Sequence, residues 1–478
     1  MADHGDHYSP FQFIFALLLL TTPTSSFDSR ATYIPCRLKP TARNIMTALA
    51  AVRGSGTSSW PSMQRPPADE ENDGSSSGPR RKGSTPAIMN YVSPETTDIS
   101  TRRDLGGSDS KLVGAIWNPT LVKVANARLL MGWEEEGEED NRRRMTLDAN
   151  GFELWTNSER EEDKFRSIDF TDQDRVVDDY YKTCERLVSD AIMSQKSSTK
   201  ASSPPIACIC AFDHNVRSSD KASVGKISSK HVAADNNANE DGKKSNNNNS
   251  NNKSATTATP QVQNPAGLVH ADYTKTSAPR RLRDLSNPPK LNDVLRPKLI
   301  AENRRSLLDP TMVEEALEGK RRYSFINVWR SIDAENPVKN PPLACIDAAT
   351  ASVDDLRMFK IHYVDRVGEN YFVCPPSTSS SSPPSSSSSS ERGHSWYYYP
   401  DMTMKEALLL KQWDSVGGVA CGARSDGAKN DYDVQHGSGW LSTFTIHSAF
   451  IDPSICQEES LPRKSIEVRC VVIWEKDI

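Results

Sequence analysis

Leu268-Val269-His270-Ala271-Asp272-Tyr273-Thr274 is the stretch whose reading decides this fold. β-branched and aromatic residues in alternation predict a strand. Successive strand side chains point to opposite faces, so His270 and Asp272 share one face. Val269, Ala271 and Tyr273 take the other. An imidazole and a carboxylate two residues apart on a strand are two of the three ligands of a 2-His-1-carboxylate facial triad. Such a triad leaves positions open on Fe(II) for a co-substrate and O2. A solvated His–Asp pair on an edge strand is spelled the same way, so the rest of the chain must supply the third ligand.

The run Trp440-Leu441-Ser442-Thr443-Phe444-Thr445-Ile446-His447-Ser448-Ala449-Phe450 supplies it. Alternation puts Thr443, Thr445 and His447 on one polar face, as a site-lining wall requires. His394, ahead of an aromatic run, is the rival third ligand. In the next strand, Arg463-Lys464-Ser465-Ile466-Glu467-Val468-Arg469-Cys470, the residues Arg463, Ser465, Glu467 and Arg469 share a face. Arg463 and Ser465 form a pair suited to the far carboxylate of 2-oxoglutarate, the guanidinium binding it bidentately and the hydroxyl adding a hydrogen bond. Arg469 competes for that role, and an exposed face of Arg–Glu pairs is the plain alternative. Asn327, in the strand Arg322 to Arg330, is a further candidate for 2-oxoglutarate. His214 and Arg217, at the end of another strand, are candidates for the substrate pocket, or for a loop-stabilising pair. Trp396 and Tyr398 are candidates for its wall.

The remaining chain reads mainly as strands. Met145 to Leu154 predicts strand, Asn-Gly turn, strand. Phe170-Thr171-Asp172 offers an N-cap to a helix over Gln173 to Ser194. Ile206 to Phe212, Leu343 to Ile346, Lys360 to Arg366, Tyr371 to Val373, His394 to Pro400 and Lys464 to Trp474 are further strands. Pro279 to Lys298 is basic and broken by proline. Asp309 opens a short helix through Leu317, and Met404 to Trp413 predicts a helix capped near Thr403. The expected fold is a mainly β double-stranded β-helix (jelly roll) with flanking helices, a single domain over 86–478. An N-terminal extension at 1–85 and insertions at 218–263 and 376–392, rich in Ser, Asn and Pro, are expected to be disordered.

Composition bounds the rest. The net charge of −5 gives no sign of a nucleic-acid partner or an anionic membrane surface, and the 36% apolar content suggests one core carrying long disordered passengers. Nine cysteines, odd in number and without a CxxC, fit a reducing compartment, hence a cytoplasmic location. Phe11 to Leu20 is apolar but too short to span a bilayer. The oligomeric state is encoded in no motif.

The ordered motifs resemble the asaB-type hydroxylase/desaturase family, whose relatives include gibberellin desaturases and the cephamycin methoxylation protein. The residues that carry the resemblance are Phe212-Asp213-His214-Asn215-Val216-Arg217, Val269-His270-Ala271-Asp272-Tyr273-Thr274 and Phe325-Ile326-Asn327-Val328-Trp329-Arg330. Pro342-Leu343-Ala344, Trp396 to Met402, His447 to Pro453 and Pro462 to Arg469 continue it in order. The resemblance implies a non-haem iron, 2-oxoglutarate-dependent oxygenase of secondary metabolism, with O2 and a small-molecule substrate as its partners. Hydroxylation and desaturation are both outcomes within the family. A jelly-roll binding protein without redox chemistry, and a metal-dependent hydrolase using the same ligands, are the alternatives; neither needs a carboxylate clamp after the distal histidine.

Overall fold

The computed structural model describes residues 60–66, 83–102, 112–130, 145–156, 164–196, 205–224, 262–291, 293–363, 366–376, 393–422, 441–456 and 460–476. The apolar run at 11–20, the tract at 377–390 and most of the expected extension and first insertion lie outside the described residues.

In chain order the first strands are β1 Ser84–Val92, β2 Ile99–Arg102, β3 Leu112–Val113, β4 Trp117–Asn126 and β5 Phe152–Thr156. Next come β6 Ile206–Ser218, β7 His270–Ala271, β8 Tyr323–Ser331, β9 Leu343–Ile346 and β10 Leu356–His362. The last are β11 Val367–Val373, β12 Trp396–Tyr398, β13 Glu406–Asp414, β14 His447–Ala449 and β15 Lys464–Trp474. They form a ten-stranded sheet, β1-β4-β12-β9-β14-β7-β11-β10-β2-β3, and a five-stranded sheet, β5-β13-β8-β15-β6. Phe152, Leu154, Trp329, Leu408 and Leu410 of the smaller sheet share a core cluster with Cys345 and Tyr397 of the larger. Two sheets closing over a common interior make the jelly roll expected from the strand pattern.

The helices are α1 Leu147–Asn150, α2 Tyr181–Lys196, α3 Ser277–Leu285, α4 Arg296–Ala301 and α5 Pro310–Leu317. Asp172 caps the run into α2, accepting from the Asp174 and Arg175 amides, and one π turn at Val176–Tyr180 precedes it. That run covers the outer face of the smaller sheet, where Tyr180 accepts from Arg330 (2.9 Å) and Tyr181 meets His214 (2.8 Å).

Three segments differ from expectation. Met404 to Trp413 contains no helix: β13 lies between β5 and β8 with all nine residues buried. A strand covered on both faces reads as a continuous apolar run, which periodicity does not distinguish from a buried helix. The first arm of the expected 145–154 hairpin is α1, capped by Thr146, and Gly151 (φ 88°) ends the helix instead of turning a hairpin. The basic stretch from Pro279 carries α3 and α4, whose prolines sit in first turns, where their missing N–H costs no helical bond. β1 starts at Ser84, and within 60–66 the Ser62 carbonyl accepts from Asn90 Nδ2 (3.3 Å).

Candidate metal centre

β7 and β14 are neighbours near the middle of the larger sheet, and their register pairs His270 with His447. β7 is only two residues long, so Asp272 lies just past its end on a bend. The three side chains nevertheless converge: one ligand atom from each of His270, Asp272 and His447 lies within 4.8 Å of the others. The two imidazole rings stand 4.4 Å apart, centroid to centroid.

Local hydrogen bonds aim these donors. His270 Nδ1 is 2.7 Å from the Leu268 carbonyl, and His447 Nδ1 is 3.1 Å from the Thr445 carbonyl. A carbonyl only accepts, so each Nδ1 carries its proton and each Nε2 keeps a lone pair for a metal. His270 Nε2 faces Asp272 Oδ1 at 3.6 Å, while Asp272 Oδ2 accepts from Asn327 Nδ2 at 3.3 Å. Burial, then the His447 charge, pushes the His270 imidazole down to about 4, which keeps it neutral as metal ligation requires. Burial alone would raise the Asp272 carboxyl. The two imidazoles with Arg469 and Arg217 outweigh it and hold the group below its usual value. Two imidazole nitrogens and a carboxylate oxygen converging on one point fit a divalent iron.

The opposite wall is the inner face of β8, β15 and β6. Asn327 pairs in register with Arg469, Trp329 with Glu467, and Arg217 with Ser465. Arg463 is buried; its Nε donates to Ser465 Oγ (3.2 Å), its Nη1 donates to the Pro341 carbonyl (3.1 Å), and its guanidinium lies over the Trp329 ring. Among the described residues it has no carboxylate partner within ion-pair distance. Burial, then the neighbouring Arg217 charge, pushes this guanidinium below its usual range. Arg469, the rival, is already engaged by Asp213 (2.9 Å) and Glu467 (3.6 Å). The Asn327 amide nitrogen is occupied as well, donating to Asp272 and to Glu467 Oε1 (2.8 Å), while its Oδ1 has no hydrogen-bond partner among the described residues.

Four expectations are corrected. His394 is not with the other donors; it is buried between Asp355 (3.1 Å) and Tyr91 (2.9 Å). His214 pairs with Val468, one step out of phase with Arg217, so it faces α2 and Tyr181 instead of the interior. Trp396 and Tyr398 also point away. Tyr397 is the β12 residue in register with Cys345, which is in turn in register with His447. Trp396 donates to Tyr91 (2.9 Å), and Tyr398 donates to Asp452 (3.3 Å), on the far face. Three consecutive tyrosines hide the phase of the pleat, so sequence reasoning missed Tyr397. The Asn327–Asp272 bond was equally invisible, because no spacing signals a contact between strands of different sheets.

Two facing sheets carrying this His–Asp–His cluster on the inner wall define a double-stranded β-helix protein with a candidate metal centre. The chain belongs to the oxidoreductase/YMDC permease-like domain family, whose profile matches residues 135–473. It is 30% identical over 235 residues to the uncharacterized protein in the dcmA 3' region of Methylophilus leisingeri, covering 49% of this chain and 82% of that protein. It is 29% identical over 156 residues to hydroxylase/desaturase asaB of Aspergillus flavus, covering 33% of this chain and 57% of the relative. Among solved structures, a variant of the iron and alpha-ketoglutarate-dependent endoperoxidase NvfI aligns with 83% of this chain and 99% of its own, at 18% identity and a TM-score of 0.46. Among the described residues no helix is long and apolar enough to cross a membrane.

Proposed function

We propose that this chain is an Fe(II)- and 2-oxoglutarate-dependent oxidoreductase, a hydroxylase or desaturase of a small-molecule secondary metabolite. One observation carries the reading: two imidazoles and a carboxylate converge with both Nδ1 atoms tied back to carbonyls. His270, Asp272 and His447 would hold the iron. When bound, iron and 2-oxoglutarate supply the oxidative decarboxylation by O2 that yields succinate, CO2 and the oxidising power to remove hydrogen from carbon.

The chain's own residues do the positioning. Asn327 holds one carboxylate oxygen of Asp272 and leaves the other toward His270. Arg463 and Ser465 would hold the far carboxylate of 2-oxoglutarate. A buried guanidinium without a counter-ion is costly, and a bound carboxylate relieves that cost. Arg217, in register with Ser465, adds positive charge on the same wall. Trp329, Leu408 and Leu410 are buried beside it and exclude water. Similarity to the hydroxylase/desaturase asaB supports an oxidative outcome. A zinc hydrolase would use the same donors, yet it has no need of an unpaired buried arginine. The eight cysteines in the described residues are free, which supports a cytoplasmic location.

Purified full-length protein should form succinate from 2-oxoglutarate only with Fe(II) and O2 present. Zn(II)-dependent ester hydrolysis without succinate formation would select the hydrolase instead. Asn327→Ala should weaken iron binding by about 10- to 100-fold, the usual cost of losing a partner that orients a ligand. A metal-competition titration reads this directly, and wild-type iron affinity in the variant would remove Asn327 from the role.

A further inference from the structure

Cys208 and Cys210 lie two residues apart on β6, the edge strand of the smaller sheet, and their sulfurs are 3.3 Å apart. Both are half-buried. Cys208 lines a groove of about 1000 Å³ beside α2, and Cys210 lines an adjoining cavity of about 250 Å³. Glu185 and Lys182 line both spaces. We propose that Cys208 and Cys210 form a two-thiolate site for a soft or borderline divalent cation such as Zn2+ or Cd2+, separate from the iron centre.

The bite distance decides between chelation and a disulfide. Zn–S bonds of about 2.3 Å at a tetrahedral angle set two sulfurs about 3.8 Å apart, so chelation needs an opening of only about 0.5 Å. A disulfide needs closure to about 2.05 Å. Residues i and i+2 of a strand have Cα atoms about 6.6 Å apart, near the long end of the disulfide range. The register of β6 on β15, Cys208 with Ile473 and Cys210 with Val471, holds those Cα atoms in place.

One carboxylate acts on both thiols, and basic side chains lie further along the groove. Glu185 anchors the site by accepting from the Ala211 amide at Oε1 (2.9 Å) and brings negative charge to both thiols; Lys182, Lys298 and Arg304 line the adjoining cavity with the opposite sign. The sulfur–sulfur contact draws the Cys208 thiol down and pushes the Cys210 thiol up, so the first proton is the easier to lose. Binding forms two S–metal bonds and releases the protons of the two thiols to solvent, with no change in oxidation state. Other cysteines on the described surface, Cys421 and Cys456, lie elsewhere on the chain and serve as internal controls.

Cd2+ titrated into the reduced full chain should raise an ultraviolet sulfur-to-metal absorption that saturates at one equivalent and is reversed by a chelator such as EDTA. The His270–Asp272–His447 cluster contains no sulfur and is silent in this readout. Cys208→Ser and Cys210→Ser should each abolish the signal. A signal that persists in both variants, or none in wild type, overturns the proposal, as does a Cys208–Cys210 disulfide that forms in glutathione buffer and blocks Cd2+ uptake. If a serine variant does not fold, alkylation of the unmodified chain decides: Zn2+ should protect both thiols together, and protection of neither refutes the site.

Discussion

Replacing His270 with Ala should reduce bound iron from about one per chain to background while the protein remains folded. The imidazole supplies one of three protein donors, and its Nε2 has no substitute within reach, since the cluster comprises only His270, Asp272 and His447 among the described residues. The side chain makes one hydrogen bond, to the Leu268 carbonyl, worth roughly 0.5–1.5 kcal/mol. Its other contacts, the His447 ring and the Asp272 carboxylate, lie within the cluster itself. Its truncation also leaves Asp272 bonded to Asn327. Metal analysis beside a thermal melt separates loss of iron from loss of fold. His394→Gln is the control. His394 is bonded to Asp355 and Tyr91 away from the cluster, so iron per folded chain should not change. Full iron occupancy in His270→Ala, or its loss in His394→Gln alone, would reassign the ligands.

Arg463→Lys should weaken 2-oxoglutarate binding by about 1–3 kcal/mol, roughly 5- to 150-fold, with iron binding unchanged. Lysine keeps the charge and loses the planar fork that meets both carboxylate oxygens. Arg463 combines burial, a hydroxyl neighbour in Ser465 and, among the described residues, no carboxylate within ion-pair distance. Arg469→Lys should behave differently. Its guanidinium already joins Asp213 and Glu467 across β6 and β15, so its replacement should lower stability and leave 2-oxoglutarate affinity near wild type. Titration of 2-oxoglutarate against both variants decides. A large effect at Arg469 with none at Arg463 would move the clamp, and no effect at either would favour the hydrolase.

Much of the centre is legible in the chain because strand alternation is a local rule. It places His270 beside Asp272, and Arg463 beside Ser465, from spacing alone. The same rule predicts β8 and β15 closely, since long alternating or apolar runs leave few other structures. It fails where the phase is hidden or where a neighbour decides. Trp396 to Tyr399 is aromatic at every position, so only pairing with β9 shows that Tyr397 turns inward. Leu408 to Leu410 is compatible with helix or strand, and the choice falls to strand because β5 and β8 both offer open edges to it.

By itself, then, the sequence determines the donor types, their order and the strand-rich interior, all of which depend on residues a few positions apart. Only the tertiary structure decides which histidine completes the cluster, which arginine is left without a carboxylate, and that Asn327 orients Asp272. Each of these rests on contacts between residues far apart in the chain, and the physical reason is common to all three. Whether a polar group is paired or available depends on what the closing sheets bring against it, and no spacing along one strand carries that information.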